Sequence, residues 1–294
     1  MSTPAFLNPP AHTQKRKRRN LFFQSICLFA AFIAVAILCT LIYKVVVDGV
    51  GRVSLDFIKA NPSQMFPDKA GIWSPLVGSM YIMALTIIFV VPVGVAAAIY
   101  LEEFTYRKNR LVRFIQVNIS NLAGVPSIVF GMLGLSLFVT VIGLGKSILT
   151  GALTMSILVL PMVILVTQEA LKAVPKSYRE ASLALGSTQW QTIRRAVIPR
   201  AIPGILTGII LAASRAIGET APLIVVGAVG LVTFPPDSLD DRYTVLPLQI
   251  LDWIGQPKEE FRIAAAAAIL VLMGLLIVLN SLAIIIRARQ QAKG

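Results

Sequence analysis

Apolar runs of about 20 residues recur along this chain. No feature constrains its fold more: a helix of that length crosses a hydrocarbon layer of roughly 30 Å, and in water such a run has nowhere to bury its surface. Five runs stand out, at 21–43, 75–101, 147–166, 201–230 and 263–286. A sixth, 118–143, is more polar and is interrupted by Gly124-Val-Pro126-Ser127, so it reads as a broken or kinked span. With 56% of 294 residues hydrophobic and only 14% charged, a soluble globular domain is excluded. The expected fold class is an all-α membrane protein with six transmembrane helices. Residues 1–20 form a basic tail, 21–287 the transmembrane domain and 288–294 a second tail.

The first run follows the basic segment Lys15–Arg19, as in a signal peptide. Its apolar core is too long, and it lacks a small-x-small cleavage site, so an uncleaved span is expected. Cys27 and Cys39 lie 12 positions apart on that helix, about 18 Å along its axis and too far to bridge each other. The single histidine, His12, supplies no metal-ligand set.

The formal net charge of +13 is unevenly distributed. Loops assigned alternately to two sides place 18 basic residues in 1–20, 102–117, 169–200 and 287–294, against seven in 44–74, Lys146 and 231–260. This asymmetry places both termini in the cytoplasm and makes Lys15–Arg19 a topology anchor beside anionic lipid rather than a nucleic-acid site. In the outer loop 231–260, residues 245–254 suit a short helix at the interface. Tyr43, Trp73, Tyr100 and Trp253 fall where an aromatic belt forms.

Prolines inside the spans, Pro92, Pro126, Pro161 and Pro222, each remove a backbone donor. Pro92 and Pro161 read as kinks. In a continuous helix Pro222 would free the carbonyl of Gly218, beside Glu219. Small residues at Gly204/Gly208, Gly131/Gly134 and Gly227/Gly230 permit close helix approach.

Two segments carry the functional signal. Within the fifth run stands Arg215-Ala-Ile-Gly-Glu219-Thr220-Ala-Pro222, an arginine and a glutamate one turn apart. Each such charge costs about 2.5–3.5 kcal/mol at mid-membrane. Arg215 lies 14 residues after Ala201 and 15 before Gly230, too deep to snorkel easily. It therefore faces a partner, a cavity or a passing anion. A structural bridge and a transient anion contact with Glu219 as resting counter-ion both remain open; Thr220 adds a hydroxyl. The second segment is 169–200. Pro175 ends the fourth helix, and Ser177-Tyr-Arg-Glu180 has the form of a capping box. Gly186 supplies a stop, Thr188-Gln-Trp-Gln191 is a second box, and Pro199 ends the second short helix. A rigid hairpin of this kind suits docking of a partner, and Glu180 has two roles in contention, cap and docking residue.

Glu180-Ala181-Ser182-x3-Gly186, followed by Ile198-Pro199 and Pro203, resembles the EAA loop of ABC importer permeases. Gly124-Val-Pro-Ser-Ile-Val-Phe-Gly131 and Arg215–Pro222 are similar to the phosphate importer permeases, of the PstA rather than the PstC type. The resemblance implies a type I importer permease: six spans, a cytoplasmic coupling-helix hairpin, and location in a bacterial cytoplasmic (inner) membrane. It implies coupling through Glu180, Ala181 and Gly186 and a substrate pathway at Arg215, Glu219 and Thr220. The partners it implies are a PstB-like ATP-binding subunit using ATP and Mg, a PstC-like second permease and a PstS-like phosphate-binding protein. Three positions depart from the pattern. Ser182 replaces an alanine, Ala196 a larger aliphatic, and Leu165 stands where some relatives carry an arginine; Thr167, Gln168 and Glu169 follow it.

The chain has no Gly-x4-Gly-Lys-Ser/Thr loop and no nucleophile–base set, so it is not expected to be an enzyme or to bind a cofactor or metal. A permease for sulfate, molybdate or tungstate, and a secondary anion transporter, are the competing readings.

Overall fold

A computed structural model describes residues 11–105, 110–228 and 232–291. Residues 1–10, 106–109, 229–231 and 292–294, among them Gly230 and Arg107 and Lys108 of the 102–117 loop, lie outside the described residues. The helices are α1 (Ala11–Gly49), α2 (Leu55–Lys59), α3 (Trp73–Ile99), α4 (Arg110–Leu122), α5 (Ser127–Gly134) and α6 (Ile148–Lys172). After them come α7 (Lys176–Ala184), α8 (Gln189–Thr192), α9 (Ile198–Gly218), α10 (Ala221–Val225), α11 (Leu246–Ile254) and α12 (Glu259–Gln291), with no strand among the described residues. Wider π-helical turns extend α3 at Tyr100–Phe104 and α5 at Leu135–Val141, and join α8 to α9 at Ile193–Val197.

Five helical runs are long and apolar enough to cross a membrane, and α4 with α5 makes a sixth as a pair bent by 105°. That bend falls at Gly124–Pro126, where the sequence places its interruption. Pro92 and Pro161 sit inside α3 and α6 without ending them. Central in the bundle is α6, whose Val159 and Val163 pack with Val90 of α3 and Ala212 of α9. Gly204 and Gly208 of α9 face Ala170 and Val166 of α6.

The loops segregate to two ends. At one, the Ser74 hydroxyl donates to the Phe234 carbonyl (2.8 Å), and Gln64 approaches Asp252 (3.4 Å), joining loops 44–74 and 231–260. There Phe57, Ile72, Leu246, Trp253 and Phe261 form an apolar core. The short helix at 245–254 is present as α11; one face, with Leu246, Leu248, Ile250 and Trp253, is buried while Leu251 and Ile254 are exposed, and Trp253 is fully enclosed with its ring 6.3 Å from that of Phe57. Its indole therefore belongs to the core and not to an aromatic belt, whereas Tyr43, Trp73 and Tyr100 are exposed. At the other end lie the hairpin α7–α8 and the C-terminal turn of α3.

Candidate functional site

The hairpin begins at Pro175, which takes the N-cap position of α7 with φ −56° and ψ 140°. Ser177 lies within the first turn and caps nothing, so the box expected at Ser177–Glu180 does not form. Proline pre-sets the backbone for a helix start, and the start falls two residues earlier than the serine would put it. Glu180 is left exposed in mid-helix beside exposed Ala181. The stop at Gly186 is as expected: its φ is +81°, which only glycine adopts without strain. The Gly186 N–H donates to Leu183 O (2.9 Å) and the Ser187 N–H to Ser182 O (3.2 Å), the two bonds of a Schellman motif.

The second box forms in full, with the Gln191 N–H donating to Thr188 Oγ1 (3.3 Å) and the Thr188 N–H to Gln191 Oε1 (2.9 Å). Pro199, however, does not end that helix. The chain has already widened into the π turn at Ile193–Val197, and Pro199 enters at the first positions of α9, where a missing N–H is tolerated. Residues Gln189–Gly218 thus make one helical run of 30 residues, about 45 Å long. It carries the hairpin at one end and Arg215 near the other.

Two features of the hairpin escape sequence reasoning. Arg179 grips Glu103 with both faces of its fork, Nε to Oε2 at 3.1 Å and Nη2 to Oε1 at 2.5 Å. It also donates to the carbonyls of Val174 (2.8 Å) and Leu171 (2.9 Å). Gln189 Nε2 completes the joint by donating to Glu103 O (2.6 Å). The bond to Glu103 raises the Arg179 pKa above its ordinary value, which keeps the arginine charged. The clue in the sequence is Glu102-Glu103, an acidic pair on the otherwise basic side. Second, the Ser182 hydroxyl lies 2.9 Å from that of Thr192, so the serine that departs from the loop pattern ties α7 to α8. Leu185 (87% exposed), Trp190, Leu183 and Tyr178 leave the hairpin with an apolar outer surface.

In the membrane domain α9 stops at Gly218, and Glu219 is extended (ψ 114°) before α10 starts at Ala221. The continuous helix expected through Pro222 is therefore broken, and Pro222 opens α10 instead of freeing a carbonyl within one helix. Gly218 O meets the Thr220 hydroxyl at 3.5 Å. Arg215 Nε lies 3.5 Å from Glu219 Oε1, with the arginine side chain 62% exposed and the glutamate 20%. Arg215 is thus not enclosed by its own chain. A single long contact of this kind contributes about 0–1 kcal/mol.

Arg215 and Glu219 line a cavity of about 460 Å³ together with Gly124–Ser127 of the other break, Phe130, Met162 and Leu165. The two motifs meet directly: the Cα of Gly131 faces the backbone of Pro222 so closely that an added Cβ would stand 2.8 Å from it. Thr220 is not among the lining residues. Leu165 is, so Arg215 is the one cation among the described residues lining this cavity. Ser127 starts α5 here, and its first-turn N–H groups add positive potential.

Residues 90–291 match the family of binding-protein-dependent transport system inner membrane components. The chain is 41% identical to the probable ABC transporter permease protein YqgI of Bacillus subtilis over 197 residues, 67% of this chain and 66% of that one. It is 34% identical to the phosphate transport system permease protein PstA of Mycobacterium leprae, over 90% of this chain and 87% of the relative. The fold is similar to that of one chain of a bacterial alginate ABC transporter crystallised with an alginate-bound periplasmic protein, with a TM-score of 0.65 over 92% of this chain and 94% of the other, at 13% identity.

Proposed function

The chain belongs to the binding-protein-dependent transport system inner membrane component family, as a permease subunit of an ABC importer, and from that premise we propose that its cargo is inorganic phosphate. The observation that carries this reading is the loosely held Arg215–Glu219 pair at a cavity formed by two broken helices. Arg215 has donors to offer an oxyanion, and the first turn of α5 adds to the attraction. Glu219 supports phosphate over sulfate, because phosphate at neutral pH keeps a proton that a carboxylate accepts, whereas sulfate has none and is repelled. A site this weak also suits transit, since an ion must leave as readily as it enters.

The hairpin is the docking element for an ATP-binding subunit that uses ATP and Mg, with Glu180, Ala181 and the exposed Leu185 on the contact surface and Gly186 fixing its shape. The helical run Gln189–Gly218 conveys the motion of that docking to Arg215. A second permease subunit and a phosphate-binding protein complete the importer in the cytoplasmic (inner) membrane, with both termini and the hairpin in the cytoplasm. The test is uptake of labelled phosphate by the assembled complex in the presence of sulfate, molybdate or tungstate in excess. Only unlabelled phosphate should compete, and displacement by an excess of another oxyanion would reassign the cargo.

A further inference from the structure

At the hairpin end of the bundle a cavity of about 370 Å³ opens between α6, α9 and α12, within the size range of small-ligand sites. Arg200 and Arg287 line it, and its other walls include Ala173, Pro175, Pro203 and Gly204. Neither arginine has an ion-pair partner among the described residues. Glu169, the acidic residue at this end of α6, is engaged by Lys172 at 2.9 Å. Arg200 is held in place: its guanidinium lies 3.9 Å over the Tyr178 ring and Nη1 donates to Ala196 O (2.8 Å). Arg287 follows the apolar span of α12, which ends at Ile285, and α6 ends its own span at Lys172. Both cations therefore stand at the level where helices leave the hydrocarbon.

We propose that Arg200 and Arg287 bind the phosphate of an anionic phospholipid headgroup. The chemistry recognised is a phosphate ester oxyanion between two cations, as in basic pockets between transmembrane helices at a membrane surface. Free phosphate offers the same oxygens, but the small apolar walls and the position at the span ends favour a lipid, whose acyl chains remain in the bilayer. The bound lipid would brace the junction of α7, α9 and α12 on which the hairpin turns.

The test uses the full-length permease, stripped of lipid and returned to nanodiscs of phosphatidylcholine with or without phosphatidylglycerol. Native mass spectrometry counts retained lipid and thermal unfolding reads its effect. Wild type should retain phosphatidylglycerol selectively and unfold several degrees higher with it. Arg200→Gln with Arg287→Gln should weaken retention by about 30-fold, the factor expected for two cations at an anionic surface. The paired lysine variant should retain the lipid, which separates charge from packing, and Arg287→Gln alone provides an intermediate case if the double change does not fold. Equal retention of phosphatidylcholine, full retention by the double glutamine variant, or protection by inorganic phosphate that the double glutamine variant loses would overturn the proposal. None of these readouts depends on what the permease transports.

Discussion

Arg179 and Glu103, 76 residues apart, form a two-pronged ion pair that fastens the hairpin to the end of α3. Glu103 is nearly enclosed, with 7% of its side chain exposed. Removing the arginine alone therefore strands a carboxylate in a site built for a pair, a change that costs about 3–5 kcal/mol at buried sites. Arg179→Gln should reduce retention of the ATP-binding subunit on a tagged permease and abolish uptake. Arg179→Gln with Glu103→Gln should recover the permease level while uptake stays low, because the neutral pair no longer holds the hairpin rigidly to α3. Wild-type uptake in the double variant would show that the joint serves stability alone.

The turn at Gly186 is a second point of failure. Proline fixes φ near −65° and has no N–H, whereas this position needs +81° and a donor to Leu183. Gly186→Pro should leave the protein in the membrane at normal amount with uptake lost. Gly186→Ala should be milder, at about 1–2 kcal/mol of local strain. Uptake that survives Gly186→Pro at normal expression would remove the hairpin from energy coupling.

Sidedness is checked by labelling. With the exposed Cys27 and Cys39 replaced by serine, a cysteine at exposed Ser238 should react with an impermeant maleimide added to whole cells. One at Leu185, 87% exposed on the hairpin, should react only after the membrane is opened. The reverse pattern would invert the topology drawn from the basic loops.

What the sequence made legible was local. The Thr188–Gln191 box and the Gly186 stop each rest on bonds within five residues, and both stand where the sequence places them. Ser177 fails as a cap because Pro175 competes for the same helix start, a choice that a motif three residues apart does not weigh. The expectations at Pro199 and Pro222 assume ideal α-helices. One instead follows a π turn and the other opens a new helix after a break. Trp253 reads as a belt residue because it falls near a span end, but α2 and α12 cover it. The joint of Arg179 with Glu103 depends on where α3 ends relative to α7, which no local pattern encodes. The convergence of Gly124–Ser127 with Arg215 on one cavity is likewise a product of packing, although each motif was conspicuous alone.

Arg215 is the residue at which the proposed substrate pathway is tested. Arg215→Gln keeps hydrogen-bonding capacity and removes the charge, so the cavity loses the one cation that lines it among the described residues. Uptake should fall by about tenfold or more, a loss of about 1.4 kcal/mol or more at the barrier, with the protein still in the membrane. Arg215→Lys keeps the charge but not the planar fork, and a partial loss is expected. The double change Arg215→Gln with Glu219→Gln separates the two roles left open for the pair. Because the bridge is a single 3.5 Å contact with an exposed arginine, its removal should cost little stability, and the variant should assemble with its ATP-binding subunit. If the pair only braces the break after Gly218, the neutral variant should transport near the wild-type rate. If Arg215 attracts the passing anion, that attraction is missing from both variants, and phosphate uptake should remain as low as in Arg215→Gln.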